Sequence, residues 1–297
     1  MSLIESALDK LRRGEGGVDG KKTPARVVAP PAVRVPVPIV PVLEEERRRL
    51  TVDSARLRAA GYLPEEGMER RFADHYRRVK RPLIEKALAG TSDMRLIVIS
   101  SALPGDGKTF TSLNLALSMA RERDISVLLV DADGARARVS EVLGVRKEPG
   151  LLDALADESL DVESLILGTD VRGLEILPAG RFIENSTELI ASGRMSQIAL
   201  RMTAHNPRRL VLFDSPPLLV SSEARVLTRI PGQIVLVVRA GVTPRRAIQD
   251  SVAQIDRQKL RGLVVNQARG VPGEGYYGYG AYDGEREREA RSGERSD

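Results

Sequence analysis

The chain has 297 residues, 42% hydrophobic but only 3% aromatic, so any core has to be aliphatic. It has no cysteine, which excludes disulfides, Cys-ligated zinc and thiol catalysis and fits a reducing cytoplasm. Its two histidines, His75 and His205, support neither a two-His metal site nor a Ser-His-Asp triad; both lie in polar, helical-looking stretches and read as surface residues. The net charge of +5, on 46 basic and 41 acidic residues, permits contact with anionic lipid or nucleic acid but argues for neither. The opening MSLIESALDKLRR is too polar for a signal peptide, and no apolar run approaches the roughly 18 residues of a membrane span. A soluble protein is expected, brought to any membrane by a partner.

In chain order, residues 1–13 place Leu3, Ile4, Ala7, Leu8 and Leu11 on one face of a short helix, marginal alone and suited to docking. Residues 14–43 read as a linker, Gly-rich and then Pro-rich, expected to be extended. Residues 44–90 are charged and helical in pattern. Their last part sets Phe72, Tyr76, Val79, Leu83 and Ile84 on one stripe beside the basic cluster Arg77, Arg78, Lys80 and Arg81. That cluster reads as a solvated face, a subunit interface or a phospholipid contact.

From residue 91 to 268 short apolar runs alternate with helical patterns. The runs are RLIVISS (95–101), SVLLVDAD (126–133), LEILPAG (174–180), RLVLFDSPP (209–217), QIVLVVRA (233–240) and LRGLVVNQ (260–267). Continuous apolar strands separated by helices predict an α/β fold, a mostly parallel sheet with helices on both faces, of the P-loop NTPase-like kind. Ligands of such sheets bind beyond the carboxyl ends of the strands. Residues 269–297 are Gly-rich and then mixed in charge, and read as a disordered tail. Four of the six tyrosines crowd into it, Tyr276, Tyr277, Tyr279 and Tyr282, where no core is expected.

The first strand runs into SSALPGDGKTFTSLNLALS. Gly105, Asp106, Gly107, Lys108, Thr109 and Phe110 therefore stand between a strand and a helix, where a phosphate-binding loop belongs. Glycines let backbone N–H groups turn to phosphates, and the helix N-terminus adds partial positive charge. Lys108 reaches the outer phosphates, and the Thr109 hydroxyl suits Mg²⁺. The full pattern G-x-x-x-x-G-K-[ST] asks for glycine at 102, where this chain has Ala102. Two later strands end in carboxylates: Asp131 and Asp133 in VLLVDAD, Asp214 in LVLFDSPP. All three are expected on the sheet edge that carries the loop, to hold Mg²⁺ or accept a proton.

These motifs in this order, followed by a Tyr-rich tail, resemble the bacterial tyrosine kinases of exopolysaccharide export, the BY-kinases. MSLIESALDKLRR, HYRRVKRPL and LPAGRFIENSTELIASGRM resemble the subgroup found beside exosortase systems. The resemblance implies an ATP·Mg²⁺-dependent tyrosine autokinase with Lys108 on the phosphates. Asp131 and Asp133 match its second motif, with Asp131 placing Mg²⁺ and activating the tyrosine. Asp214 matches the Walker B aspartate, and Asn266 stands where the family meets the base. Tyr276, Tyr277, Tyr279 and Tyr282 match the autophosphorylated cluster. The ring-forming Glu-x-x-Arg-x-x-Arg motif becomes Asp74, Arg77 and Lys80. The implied partners are a transmembrane chain-length determinant protein and further copies of the chain, at the inner face of the cell membrane; no nucleic acid is expected. The family's Arg followed soon by Pro after the second aspartate is missing, since here GARARVS supplies Arg136 and no proline.

Two rivals have sequence tests of their own. A partition- or positioning-type ATPase carries an extra lysine early in the loop, where this chain has Leu103. A non-catalytic scaffold would not need Lys108, Thr109, Asp131 and Asp214 together.

Overall fold

The computed structural model describes residues 48–268. The expected helix at 1–13, the linker at 14–43 and the tyrosine tail at 269–297 lie outside them.

Eight strands form one sheet in the order β1-β4-β5-β3-β6-β2-β7-β8. They are β1 (Arg49–Leu50), β2 (Leu96–Ser101), β3 (Ser126–Asp131), β4 (Leu167–Thr169), β5 (Leu174–Leu177), β6 (Arg209–Asp214), β7 (Gln233–Arg239) and β8 (Leu260–Asn266). All six strands expected from apolar runs are present and pair in parallel. The two others, β1 and β4, lie at one end. They pair in parallel with each other, and β4 runs antiparallel to β5 through a tight turn whose Thr169 hydroxyl bonds the Leu174 carbonyl at 2.8 Å. β1 falls in a stretch whose pattern predicts helix alone.

Nine helices lie among the described residues: α1 (Ser54–Ala59), α2 (Glu69–Ala89), α3 (Lys108–Met119), α4 (Arg138–Val142), α5 (Leu151–Ala156), α6 (Ser186–Ala191), α7 (Gly193–Ala204), α8 (Ser222–Leu227) and α9 (Arg245–Ala253). Alternation along the strands sends side chains to two cores. Ile97, Ile99, Val127, Leu129, Leu210 and Leu212 face α2 and α3, where Tyr76, Leu83, Leu113 and Met119 meet them. Val98, Leu128, Val130, Val211 and Phe213 face α5 and α7 through Leu151, Met195 and Ile198. Both sheet faces are thus covered, which is why the central strands carry unbroken apolar runs rather than apolar residues at every second position.

Inside the sheet Arg209 is almost wholly buried and is held by Glu163 at 2.6 Å and Glu175 at 3.0 Å. This network anchors the start of β6. His75 and His205 are both exposed, as their polar surroundings predict. No helix among the described residues is long and apolar enough to cross a membrane.

Candidate active site

β2, β3 and β6 lie side by side and end on the same edge. Asp131 and Asp214 are register partners at the ends of β3 and β6, which puts two carboxylates on neighbouring strands. From the end of β2 the chain turns through residues 102–107 into α3. Gly105 and Gly107 take positive φ of 85° and 96°, the left-handed region glycine occupies freely. A Cβ on Gly107 would lie 1.8 Å from the Asn266 amide nitrogen, so glycine is required there for space as well. Ala102, in place of the first pattern glycine, is fully buried, and its carbonyl accepts from the Leu219 N–H at 3.3 Å.

Lys108 opens α3 and points into the carboxylates, 2.9 Å from Asp133 and 3.8 Å from Asp214. The Thr109 hydroxyl donates to Asp214 Oδ2 at 2.8 Å, and the Ser112 hydroxyl donates to Asp214 Oδ1 at 2.8 Å. Asp131 Oδ2 accepts from both the N–H and the hydroxyl of Ser140, at 2.8 and 2.7 Å. Asp131 Oδ1 takes only a longer bond from the Asp133 N–H, 3.3 Å.

All four charged groups are buried, so three carboxylates face one ammonium. Burial pushes Asp131 up to about 7, the Asp214 charge adds to this, and the Ser140 hydrogen bonds oppose it. Burial also raises Asp214, against the Lys108 ammonium and the hydroxyls of Thr109 and Ser112. Burial works against the Lys108 charge, but Asp214 and Asp133 outweigh it and hold the ammonium above the ordinary lysine value.

The expected loop residues come together with the expected aspartates. Asp106 is buried, and its carboxylate accepts from the Leu103 N–H at 2.9 Å and the Thr243 hydroxyl at 2.7 Å. Asn266 ends β8 beside the loop, with its amide donating to the Asp106 carbonyl at 3.0 Å. Phe110 turns its ring to Phe72 on α2, so toward the loop it offers its backbone. In the segment proposed for assembly, Asp74 and Arg77 pair with each other on the exposed face of α2 at 2.8 Å. Lys80 instead turns inward, to the Ser118 carbonyl and Glu122, both at 2.7 Å. Tyr276, Tyr277, Tyr279 and Tyr282 lie outside the described residues.

Sequence reasoning missed Ser112, Ser140 and Thr243. Ser112 could have been found, since it follows Thr109 by three and so shares its helix face. Ser140 had no such signal. It reaches Asp131 through a turn in which Ala137 takes a left-handed conformation, φ 43°, in the stretch GARARVS that has Arg136 but no proline. Arg136 sits in that turn with its N–H on the Asp133 carbonyl at 3.1 Å, and its side chain is exposed.

A family model described as an AAA domain matches residues 94–255, from just before β2 to just past α9. The chain belongs to the AAA domain family. Tyrosine-protein kinase YwqD of Bacillus subtilis is 29% identical over 192 residues, 64% of this chain and 79% of YwqD. Tyrosine-protein kinase Wzc of Salmonella typhimurium is 29% identical over 192 residues, 62% of this chain and 26% of Wzc. The chain spans about a quarter of the length of Wzc and of the Ralstonia relatives called EpsB. The solved kinase domain of the Escherichia coli tyrosine kinase ETK superimposes with a TM-score of 0.59 at 26% identity, over 77% of this chain and 99% of that domain. Relatives and fold therefore agree with the resemblance read from the motifs. α2 lies outside the matched AAA domain, although it packs directly on α3.

Proposed function

We propose that the protein is an ATP-dependent protein-tyrosine autokinase that phosphorylates Tyr276, Tyr277, Tyr279 and Tyr282 and thereby regulates exopolysaccharide polymerisation and export. The observation that carries this reading is the phosphate-type loop of Lys108 and Thr109 set against buried Asp131, Asp133 and Asp214 on one sheet edge. The names of Wzc, YwqD and ETK support tyrosine as the acceptor.

ATP would take the loop's N–H groups, with Lys108 on its outer phosphates. Mg²⁺ fits the hard oxygen donors of Thr109, Asp131 and Asp214, and would offset the excess of buried negative charge. Among the described residues no three His, Cys, Asp or Glu side chains converge as a metal site. That suits an ion held largely by phosphate and water oxygens. When bound, it supplies charge neutralisation at the phosphates.

Asp131 Oδ1, the oxygen that Ser140 leaves open, accepts the tyrosine proton as the phenol oxygen bonds to the γ-phosphorus. The bond from that phosphorus to the bridging oxygen breaks, and ADP leaves with the electron pair. A carboxylate within reach of the phenol can take its proton as the new bond forms.

Four strand spacings, about 19 Å, separate the ends of β8 and β3. The ten to sixteen residues from Asn266 to the tyrosines reach about 30–55 Å when extended. A chain's own tail and a neighbour's are both within range. Each phosphotyrosine adds about −1.5 to −2 of charge, so several together repel and loosen a ring of copies. The upstream switch is a transmembrane chain-length determinant protein, with residues 1–13 as the docking element. Sedimentation of the phosphorylated protein beside its four-Tyr→Phe variant tests the assembly part. A smaller phosphorylated species is expected, and identical masses contradict it.

A further inference from the structure

The turn that leaves β7 grips the phosphate loop through Asp106. Gly241 takes a positive φ of 68°, and the chain closes back on Arg239, the last residue of β7. The Thr243 N–H donates to the Arg239 carbonyl at 3.0 Å, and the Thr243 hydroxyl oxygen accepts from the Arg239 N–H at 2.8 Å. Both backbone groups of Arg239 thus fix Thr243. Thr243 has one hydroxyl proton, and it goes to Asp106 Oδ1 at 2.7 Å. The result is a directed chain: Arg239 N–H to Thr243 O–H to the Asp106 carboxylate. Asp106 is buried and carries two further bonds. Its Oδ2 accepts from the Leu103 N–H at 2.9 Å, and its main-chain carbonyl accepts from the Asn266 amide at 3.0 Å. One loop residue is therefore tied to the ends of two strands, β7 and β8.

The N–H groups of Gly105, Asp106, Gly107, Lys108 and Thr109 have no acceptor among the described residues. These are the groups a phosphate would take. Gly105 and Gly107, with positive φ and no side chains, do little by themselves to hold that shape. The side chain between them, Asp106, supplies the restraint. The Asp106 carbonyl and the Gly107 N–H belong to one rigid peptide plane and point in opposite directions, so the bond from Asn266 also turns that N–H away from β8.

We infer that Thr243 is a positioning residue for the nucleotide loop: through Asp106 it holds the turn between the two glycines open to phosphate. The inference deepens the nucleotide reading of this loop and rests on it.

The test is calorimetric titration of the full-length protein with Mg·ADP, alongside thermal melting. Thr243→Val keeps the shape and removes the hydroxyl; Thr243→Ala removes it too and serves if the valine variant does not fold. Each is expected to weaken Mg·ADP by about three- to tenfold, the scale of one hydrogen bond. Thr243→Ser, which retains the hydroxyl, is expected to bind like wild type. In an Asp106→Ala background Thr243→Val is expected to cost nothing further, because its route to the loop is already cut. Leu236→Val, in the same strand but packed in the core beneath α9, is expected to lower Tm and leave the affinity unchanged. Wild-type affinity in the variants that lack the hydroxyl, a full loss from Thr243→Val in the Asp106→Ala background, equal weakening by Leu236→Val, or equal weakening by Thr243→Ser and Thr243→Val overturns the inference while the nucleotide reading stands. A wild-type protein that ignores Mg·ADP overturns the nucleotide reading and the inference with it.

Discussion

Asp131 ties the chemistry of the site to the stability of the fold. Its folded pKa, about 7, lies above the 3.8 of an ordinary aspartate. Between those values the folded protein holds a proton that the unfolded chain has lost, so stability falls as pH rises from about 4 to about 7. Asp214 is shifted the same way. Asp153 is lowered below 3.8 by its bonds to Arg181 and Gly150, against its burial, so it titrates below this window. The nucleotide-free protein is therefore expected to melt several degrees lower at pH 7.5 than at pH 5, and Asp131→Asn to flatten that slope. A melting curve at each pH checks this. Ser112→Ala removes one of two hydroxyls on a fully buried carboxylate and is expected to cost about 1–3 kcal/mol in urea unfolding. The aspartates were legible in the sequence because each closes an apolar strand, whereas Ser140 was not, because only a turn through Ala137 brings it to Asp131.

At the scale of elements, the six long strands could be read because burial on both faces makes them continuously apolar. β1 and β4 escaped, being two and three residues long and set by pairing at the end of the sheet rather than by pattern. The turn Thr169–Gly173 between two apolar runs was a hairpin signal for β4 that the reading passed over. α2 was legible as a stripe, but its destination was not, since nothing in the spacing of Phe72, Tyr76 and Leu83 names α3. Leu83 is almost fully buried between α2 and the sheet, so Leu83→Ala is expected to cost about 2–5 kcal/mol in chemical denaturation. At the loop, Gly107→Ala meets both a positive φ and the Asn266 amide. It is expected to abolish detectable Mg·ADP binding in calorimetry while the far-ultraviolet circular dichroism stays that of the wild type.

For the whole molecule, the fold explains why one sheet edge gathers every charged group of the site. Parallel strands end on the same side, so Lys108, Asp131 and Asp214 converge from three separate segments of the chain. The central claim is that this edge passes phosphate to the tyrosines of the same polypeptide. The most direct measurement is to incubate the full-length protein with ATP and Mg²⁺ and map phosphate by mass spectrometry, with Lys108→Met in parallel. Phosphate on Tyr276, Tyr277, Tyr279 or Tyr282, absent from Lys108→Met, is the predicted result. ATP bound with no phosphotyrosine at these positions, even with the cytoplasmic segment of a chain-length determinant protein added, would contradict it.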